Sequence, residues 1–295
     1  MKRPATYELR KQIDPNDPVV VAYEKHQKEQ HAELIEKTRE ASKRINRPTT
    51  PVKLNKINVE SLKSIFVKVW RELHGIDFDF NLNNKQSKLL LYTLMYYFTS
   101  NDRFYNSPLL FSDNTNPDLS KGLLIIGPYG VGKTKMMKTF QHMFFGGVGM
   151  EENQIIMDES GKPEFLYKYK LNFSSYTANG TVIAYESCKS DNTSSEKLNK
   201  DDFWNKMLSS TIYVDDLLTE NEASNFGKVN LFSKILHERY ENKKITYLTC
   251  NYNKNFPLDK EEALLQFSEK YGTHIYDRLF EMFNIIFLTG KSNRK

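Results

Sequence analysis

"LLIIGPYGVGKT", residues 123–134, is the stretch from which the rest of the chain can be read. Four uninterrupted apolar residues make a short strand buried on both faces. The strand runs into Gly127, Pro128, Tyr129, Gly130, Val131, Gly132, Lys133 and Thr134, which satisfy the pattern G-x-x-x-x-G-K-[ST]. Glycines let the backbone curl so that successive N–H groups face phosphate oxygens. A helix starting near Gly132 adds the partial positive charge of its N-terminus. Lys133 has the reach for the β- and γ-phosphates, and the Thr134 hydroxyl is a hard oxygen ligand for Mg²⁺. The stretch that follows, "KTKMMKTFQHMFF", has helical spacing. Strand, glycine loop and helix together predict a cradle for ATP and Mg²⁺.

Strand and helix patterns alternate from residue 121 onward. Strands are expected at 123–127, 167–173 ("YKYKLNF"), 211–215, 245–251 and 285–289. Short apolar strands separated by helices imply an α/β fold, with a five-stranded, mainly parallel sheet between helices. "IIMDESGKPEFLYK" reads as a hairpin turning at Ser160-Gly161, and the polar stretch 188–202 as a surface loop.

Phosphoryl transfer needs a carboxylate at a neighbouring strand end to hold the Mg²⁺ shell, and a group to orient the attacking water. "TIYVDDLL" ends an apolar strand in two carboxylates. Asp215 is assigned to Mg²⁺ and Asp216 to polarising the water. "ITYLTCNYN" puts Asn251 at another strand tip, within reach of the γ-phosphate or the water. Arg278 and Arg294 bracket the last strand, and an arginine meeting the developing γ-phosphate charge accelerates transfer by several powers of ten. Taken singly, either arginine is more often a surface ion pair.

Upstream, 58–73 has amphipathic spacing through Leu62, Ile65, Phe66, Val69 and Trp70, and 84–98 is a more buried helix. Residues 17–45 read as one long polar helix, and 46–53 as a linker broken by Pro48 and Pro51. The net charge of +5 lies entirely in residues 1–57, which carry 13 basic and 8 acidic residues. Such a segment can attract nucleic acid, or be a solvated charged helix; its interleaved carboxylates argue against a polybasic arm. The chain thus divides into an N-terminal extension for partner binding (1–57), a helical lead-in (58–120) and an ATPase core (121–295). No apolar run approaches a membrane span, the first residues lack a secretory h-region, and the two cysteines have no partner at zinc spacing. A cytoplasmic protein without a membrane partner is expected.

"GPYGVGKT", "YVDDLLTE", "LFSKILHERYENKKITYLTCNYN" and "YDRLFEMFNIIFLTGKSNR" together resemble the AAA+ ATPases of the DnaC-type helicase loaders and IstB-type transposition helpers, over residues 84–294. The resemblance implies an ATPase in which Asn251 is sensor 1 and Arg294 sensor 2. It makes Arg278 an arginine finger acting on the nucleotide of a neighbouring subunit, hence a homo-oligomer. The family often has glycine where this chain has Leu218. Two partner sets follow: single-stranded DNA and a replicative helicase, or duplex DNA and a transposase. The helpers often carry shorter N-terminal regions, which favours the loader. Readings of another class are a P-loop small-molecule kinase, opposed by the lack of an arginine-rich lid, and a nucleotide-gated binding protein, opposed by Asp216.

Overall fold

The structure, a computed structural model, describes residues 54–80, 85–113, 115–145, 154–188, 199–224 and 228–290, with Pro18, Val21, Lys25 and Glu29 ahead of them. Those four are helical and exposed. The rest of the 17–45 helix, the 46–53 linker and Arg294 lie outside the described residues.

Helix α1 (Val59–His74) starts at Asn58, whose side chain accepts from the Ser61 N–H, and stops at Gly75, at φ 66°. Its apolar face buries Leu62, Phe66, Val69 and Trp70. Helix α2 (Lys85–Phe98) follows, then strand β1 (Gly122–Ile126) and helix α3 (Lys133–Phe145). Strands β2 (Ile155–Met157) and β3 (Pro163–Phe165) form the expected hairpin. Next come β4 (Ser174–Thr177), α4 (Ala178–Glu186), α5 (Lys200–Leu208) and β5 (Ile212–Leu217). A small pair, β6 (Ala223–Ser224) and β7 (Lys228–Val229), precedes α6 (Leu231–Glu241) and β8 (Thr246–Cys250). The chain continues through α7 (Lys260–Tyr271), α8 (Thr273–Met282) and β9 (Phe283–Phe287).

The main sheet has five strands in the order β4-β5-β8-β1-β9, and every pairing is parallel. Strand β1 lies inside it, between β8 and β9, so the chain leaves β1 toward one edge and returns on its other side. A crevice beyond the carboxyl ends of strands at such a switch point is where open α/β sheets bind ligands. Both faces of β1 are buried. Leu123 and Ile125 pack with α1, α2 and α3, whereas Leu124 and Ile126 pack with α4 to α8. The lead-in helices therefore belong to the layer that holds the P-loop helix. Phe98 of α2 lies 4.9 Å from Phe140 and 4.9 Å from Phe144, both on α3, and 5.7 Å from Tyr247 of β8. No helix among the described residues is long and apolar enough to cross a membrane.

Two expectations are corrected. Residues 167–173 are not a strand: Leu166–Tyr169 is a 3-10 turn ended by Lys170 at φ 52°, and the edge strand is Ser174–Thr177. The alternation in "YKYKLNF" belongs to a surface turn that exposes Tyr167 and anchors itself through buried Leu166 and Phe173. A polar edge strand, "SSYT", carries little apolar signal of its own. The expected loop at 188–202 also ends early. Asn199 caps α5 by accepting from the N–H groups of Asp201 and Asp202, so helix begins at Lys200; residues 189–198 lie outside the described set.

Arg239 is the largest charged side chain with no exposed surface. Its Nε donates to Thr246 Oγ1 at 2.7 Å, Nη2 to Ile245 O at 2.7 Å and to Ser210 O at 2.9 Å, and Nη1 to Met207 O. One guanidinium thus joins α5 and α6 to the starts of β5 and β8. Arg239→Ala is expected to destabilise the fold by about 3–5 kcal/mol, because it opens a cavity and strands buried acceptors. Denaturant unfolding measures this.

Candidate active site

The loop leaves β1 under tight constraint. Gly127 lies so close to the segment after β9 that a Cβ there would stand 2.8 Å from Leu288 Cβ. Gly127→Ala is expected to lose about 1–3 kcal/mol through this overlap, seen as a lower melting temperature. Gly130 and Gly132 take φ of 78° and 94°, the left-handed region in which glycine is at ease. Val131 is buried, Pro128 is half-buried and Tyr129 is exposed at the loop tip. Helix α3 opens immediately at Lys133, so its N-terminal N–H groups face the cradle.

Lys133 is only 5% exposed. Its Nζ donates to Gly127 O at 2.6 Å, to Pro128 O at 2.9 Å and to Asn251 Oδ1 at 2.9 Å. Asn251 follows β8, and its Nδ2 is buried with no hydrogen-bond partner among the described residues. A buried amide donor next to a buried ammonium suits an anionic oxygen.

Thr134 and Asp215 meet across 81 residues of sequence: Thr134 Oγ1 donates to Asp215 Oδ1 at 2.9 Å. The same oxygen accepts from Tyr213 OH at 2.7 Å and from Thr249 Oγ1 at 2.6 Å. Burial first, and the Asp215 charge next, hold the Tyr213 phenol well above its ordinary range, so it stays a donor. Asp215 itself is buried. No group of three or more His, Cys, Asp or Glu among the described residues could hold a metal. A hydroxyl and a carboxylate in contact fit Mg²⁺, which prefers one or two protein oxygens plus substrate phosphates to an all-protein cage.

Asp215 and Asp216 sit in a bulge. Val214 pairs with Leu248 and Leu217 with Cys250, so β5 carries one residue more than β8 between those pairs. The extra residue lets neighbouring carboxylates differ: Asp215 points into the hydroxyl cluster, whereas Asp216 is exposed, at φ 54°. The Asp216 N–H donates to Thr249 Oγ1 at 3.3 Å, so one threonine fixes both aspartates. Tyr213 and Thr249 escaped the sequence reading. Tyr213 was legible, because it stands two residues before Asp215 and shares its side of the strand.

Arg278 is placed apart from this group. Ile275 and Leu279 are fully buried, as i, i+4 spacing on α8 expects. The Arg278 guanidinium does not simply extend outward; it lies along α6. It stacks 4.4 Å from the Tyr240 ring centre, donates from Nη2 to Glu241 Oε1 at 3.1 Å and contacts His237 Nδ1 through Nη1. An aromatic face and a carboxylate one residue apart capture it. Cys188 and Cys250 are buried thiols, and burial pushes Cys250 up to about 12, which leaves it unreactive at neutral pH.

No family model matches the chain, and no curated protein does. Among solved structures it is similar to the DnaC helicase loader, at 18% identity and a TM-score of 0.42 over 72% of this chain and 93% of that one. It is also similar to DnaI, at 17% identity and a TM-score of 0.37 over 75% of this chain and 92% of that one. The topology and the loop stand on their own: a parallel sheet opens at its switch-point strand into "GPYGVGKT", and Thr134 meets Asp215 from the next-but-one strand. The chain has the fold of the P-loop NTPases.

Proposed function

We propose that the chain is an ATP-dependent, DNA-associated AAA+ ATPase that acts as a replicative helicase loader on single-stranded DNA. The observation that carries the ATPase part is the contact of Thr134 with Asp215 beside the contact of Lys133 with Asn251, at 2.9 Å each. Four residues from three separate motifs meet at the carboxyl ends of three strands. When bound, MgATP supplies the phosphoanhydride to be cleaved and the cation that neutralises its oxygens. Lys133, the loop N–H groups and Asn251 Nδ2 bind and orient the γ-phosphate. Thr134 and Asp215 hold Mg²⁺, with Tyr213 and Thr249 keeping the carboxylate in place. Asp216, on the exposed side of the bulge, accepts a proton from the attacking water.

The DNA and helicase parts rest on the order of the motifs and on the basic surplus in residues 1–57. Hydrolysis is expected to be stimulated more by single strands than by duplex. DNA affinity should fall steeply with added salt, because phosphate contacts release counterions. Stronger stimulation by duplex overturns the loader reading in favour of a transposition helper, and indifference to both overturns the DNA reading.

For Arg278 the proposal is an oligomer in which it serves the nucleotide of a neighbouring subunit. It would have to exchange Glu241 and Tyr240 for a γ-phosphate. Arg278→Ala is expected to bind ATP normally but to lose turnover by roughly 10³-fold or more. Mixing it with Lys133→Ala should restore partial activity, since a mixed seam holds one intact Lys133 and one intact Arg278. A co-assembling mixture that stays inactive places Arg278 in a surface ion pair instead.

A further inference from the structure

The turn after the two aspartates is held from outside. Asp216 and Leu218 take φ of 54° and 74°, a conformation unfavourable for any residue with a side chain. The end of α7 closes on this turn. Lys270 Nζ donates to Leu218 O at 2.9 Å and to Glu220 O at 2.6 Å, and lies 3.2 Å from Glu220 Oε1. Tyr271 OH donates to the same Glu220 Oε1 at 2.6 Å and accepts from the Leu218 N–H at 3.3 Å. Glu220 and Tyr271 are buried, at 5% and 2% exposure. Burial, then the Glu220 charge, holds the Tyr271 phenol well above its ordinary range, so its proton remains available to that carboxylate. Five polar contacts therefore converge on two residues of the turn, Leu218 and Glu220, just after Asp216.

The other end of the latch matters as much. Tyr271 is followed by Gly272, at φ 94°, and then by α8, the helix that carries Arg278. The clamp on the strained turn is thus continuous with the element whose arginine meets α6. Bulge geometry alone does not secure Asp216: its backbone is anchored on one side by Thr249 and on the other by whatever holds residues 218–220.

We propose that Lys270 and Tyr271 are positioning residues for hydrolysis: with Glu220 they form a latch that holds the Leu218 turn in its strained form and so aims Asp216. The latch also ties the Asp216 turn to α7 and, through Gly272, to α8. This rests on the ATPase reading above.

The test uses the full chain and steady-state ATP hydrolysis, with equilibrium MgATP binding and melting temperature measured alongside. Tyr271→Phe removes only the hydroxyl, and Lys270→Met only the ammonium. Each is expected to lower kcat roughly 10- to 100-fold while KM and the affinity for MgATP stay within about twofold, since the cradle is untouched. Adding Leu218→Gly relieves the strained φ, so the turn needs the latch less, and kcat of either variant should recover in part. A general loss of stability would instead lower the melting temperature and the MgATP affinity together with kcat. If the parent hydrolyses ATP and Tyr271→Phe matches its kcat, the latch is wrong. It is equally wrong if kcat falls together with binding and melting temperature and Leu218→Gly restores nothing. A parent that does not hydrolyse ATP at all sinks the ATPase reading first, and the latch's role in turnover with it.

Discussion

Lys133→Ala is expected to weaken MgATP binding by roughly 100-fold or more while the chain stays folded. The buried side chain donates hydrogen bonds to atoms of the cradle: two loop carbonyls and Asn251. None reaches the hydrophobic layers on which the fold rests. Alanine is well suited to the first turn of a helix, and water can reach the carbonyls that the ammonium leaves. Charge-assisted hydrogen bonds contribute about 1.5–3 kcal/mol each, and loss of two to phosphate corresponds to at least that hundredfold change. Titration with a fluorescent ATP analogue, beside a circular dichroism melt, measures both halves. Parent-like affinity would remove Lys133 from the cradle.

The second large effect separates two adjacent carboxylates. Asp216→Asn should bind MgATP as the parent does, yet turn it over about 10²- to 10⁴-fold more slowly, the range for loss of a positioned acid–base group. Asp215→Asn should instead weaken Mg²⁺-dependent binding. The bulge is the reason. Asp215 Oδ1 receives three hydroxyls, from Thr134, Tyr213 and Thr249, and the residue is buried. Asparagine there cannot carry the charge that the hydroxyl cluster and a cation both require. Asp216 is exposed and its N–H donates to Thr249 Oγ1, a backbone contact that its amide variant keeps. Parent-rate turnover by Asp216→Asn would reduce Asp216 to a turn residue.

Much of the fold was legible because both faces of the central strands are buried. "LLII" and "ITYLTC" are nearly continuous apolar runs, as parallel strands between helix layers must be. The 58–73 helix was legible through its apolar spacing, and Asn58, the first residue of that span, caps it. Strand β4 failed for the converse reason: an edge strand spelled "SSYT" buries little, while "YKYKLNF" mimics alternation with aromatics that a surface turn displays.

The candidate site divides in the same way. Gly127, Gly132, Lys133 and Thr134 are tied to one another by backbone geometry, and Asp215 ends an apolar strand, so each could be read locally. Thr249, Glu220, Lys270 and Tyr271 act through tertiary contacts. Tyr271 Oη reaches Glu220 across 51 residues, and no local pattern announces such a pair. Leu218 is instructive. Its departure from the glycine often found in the resembling family left the local turn in question, and the turn keeps the left-handed φ of 74° with leucine in place.

The most direct measurement of the central claim is single-turnover hydrolysis. The full chain, in excess over radiolabelled ATP, is followed for phosphate release with Mg²⁺, with chelator, and with single-stranded or duplex DNA. The account predicts release that requires Mg²⁺, is quickened most by single strands and vanishes in Asp216→Asn despite retained nucleotide. ATP that stays bound and uncleaved in the parent under every one of these conditions would contradict it.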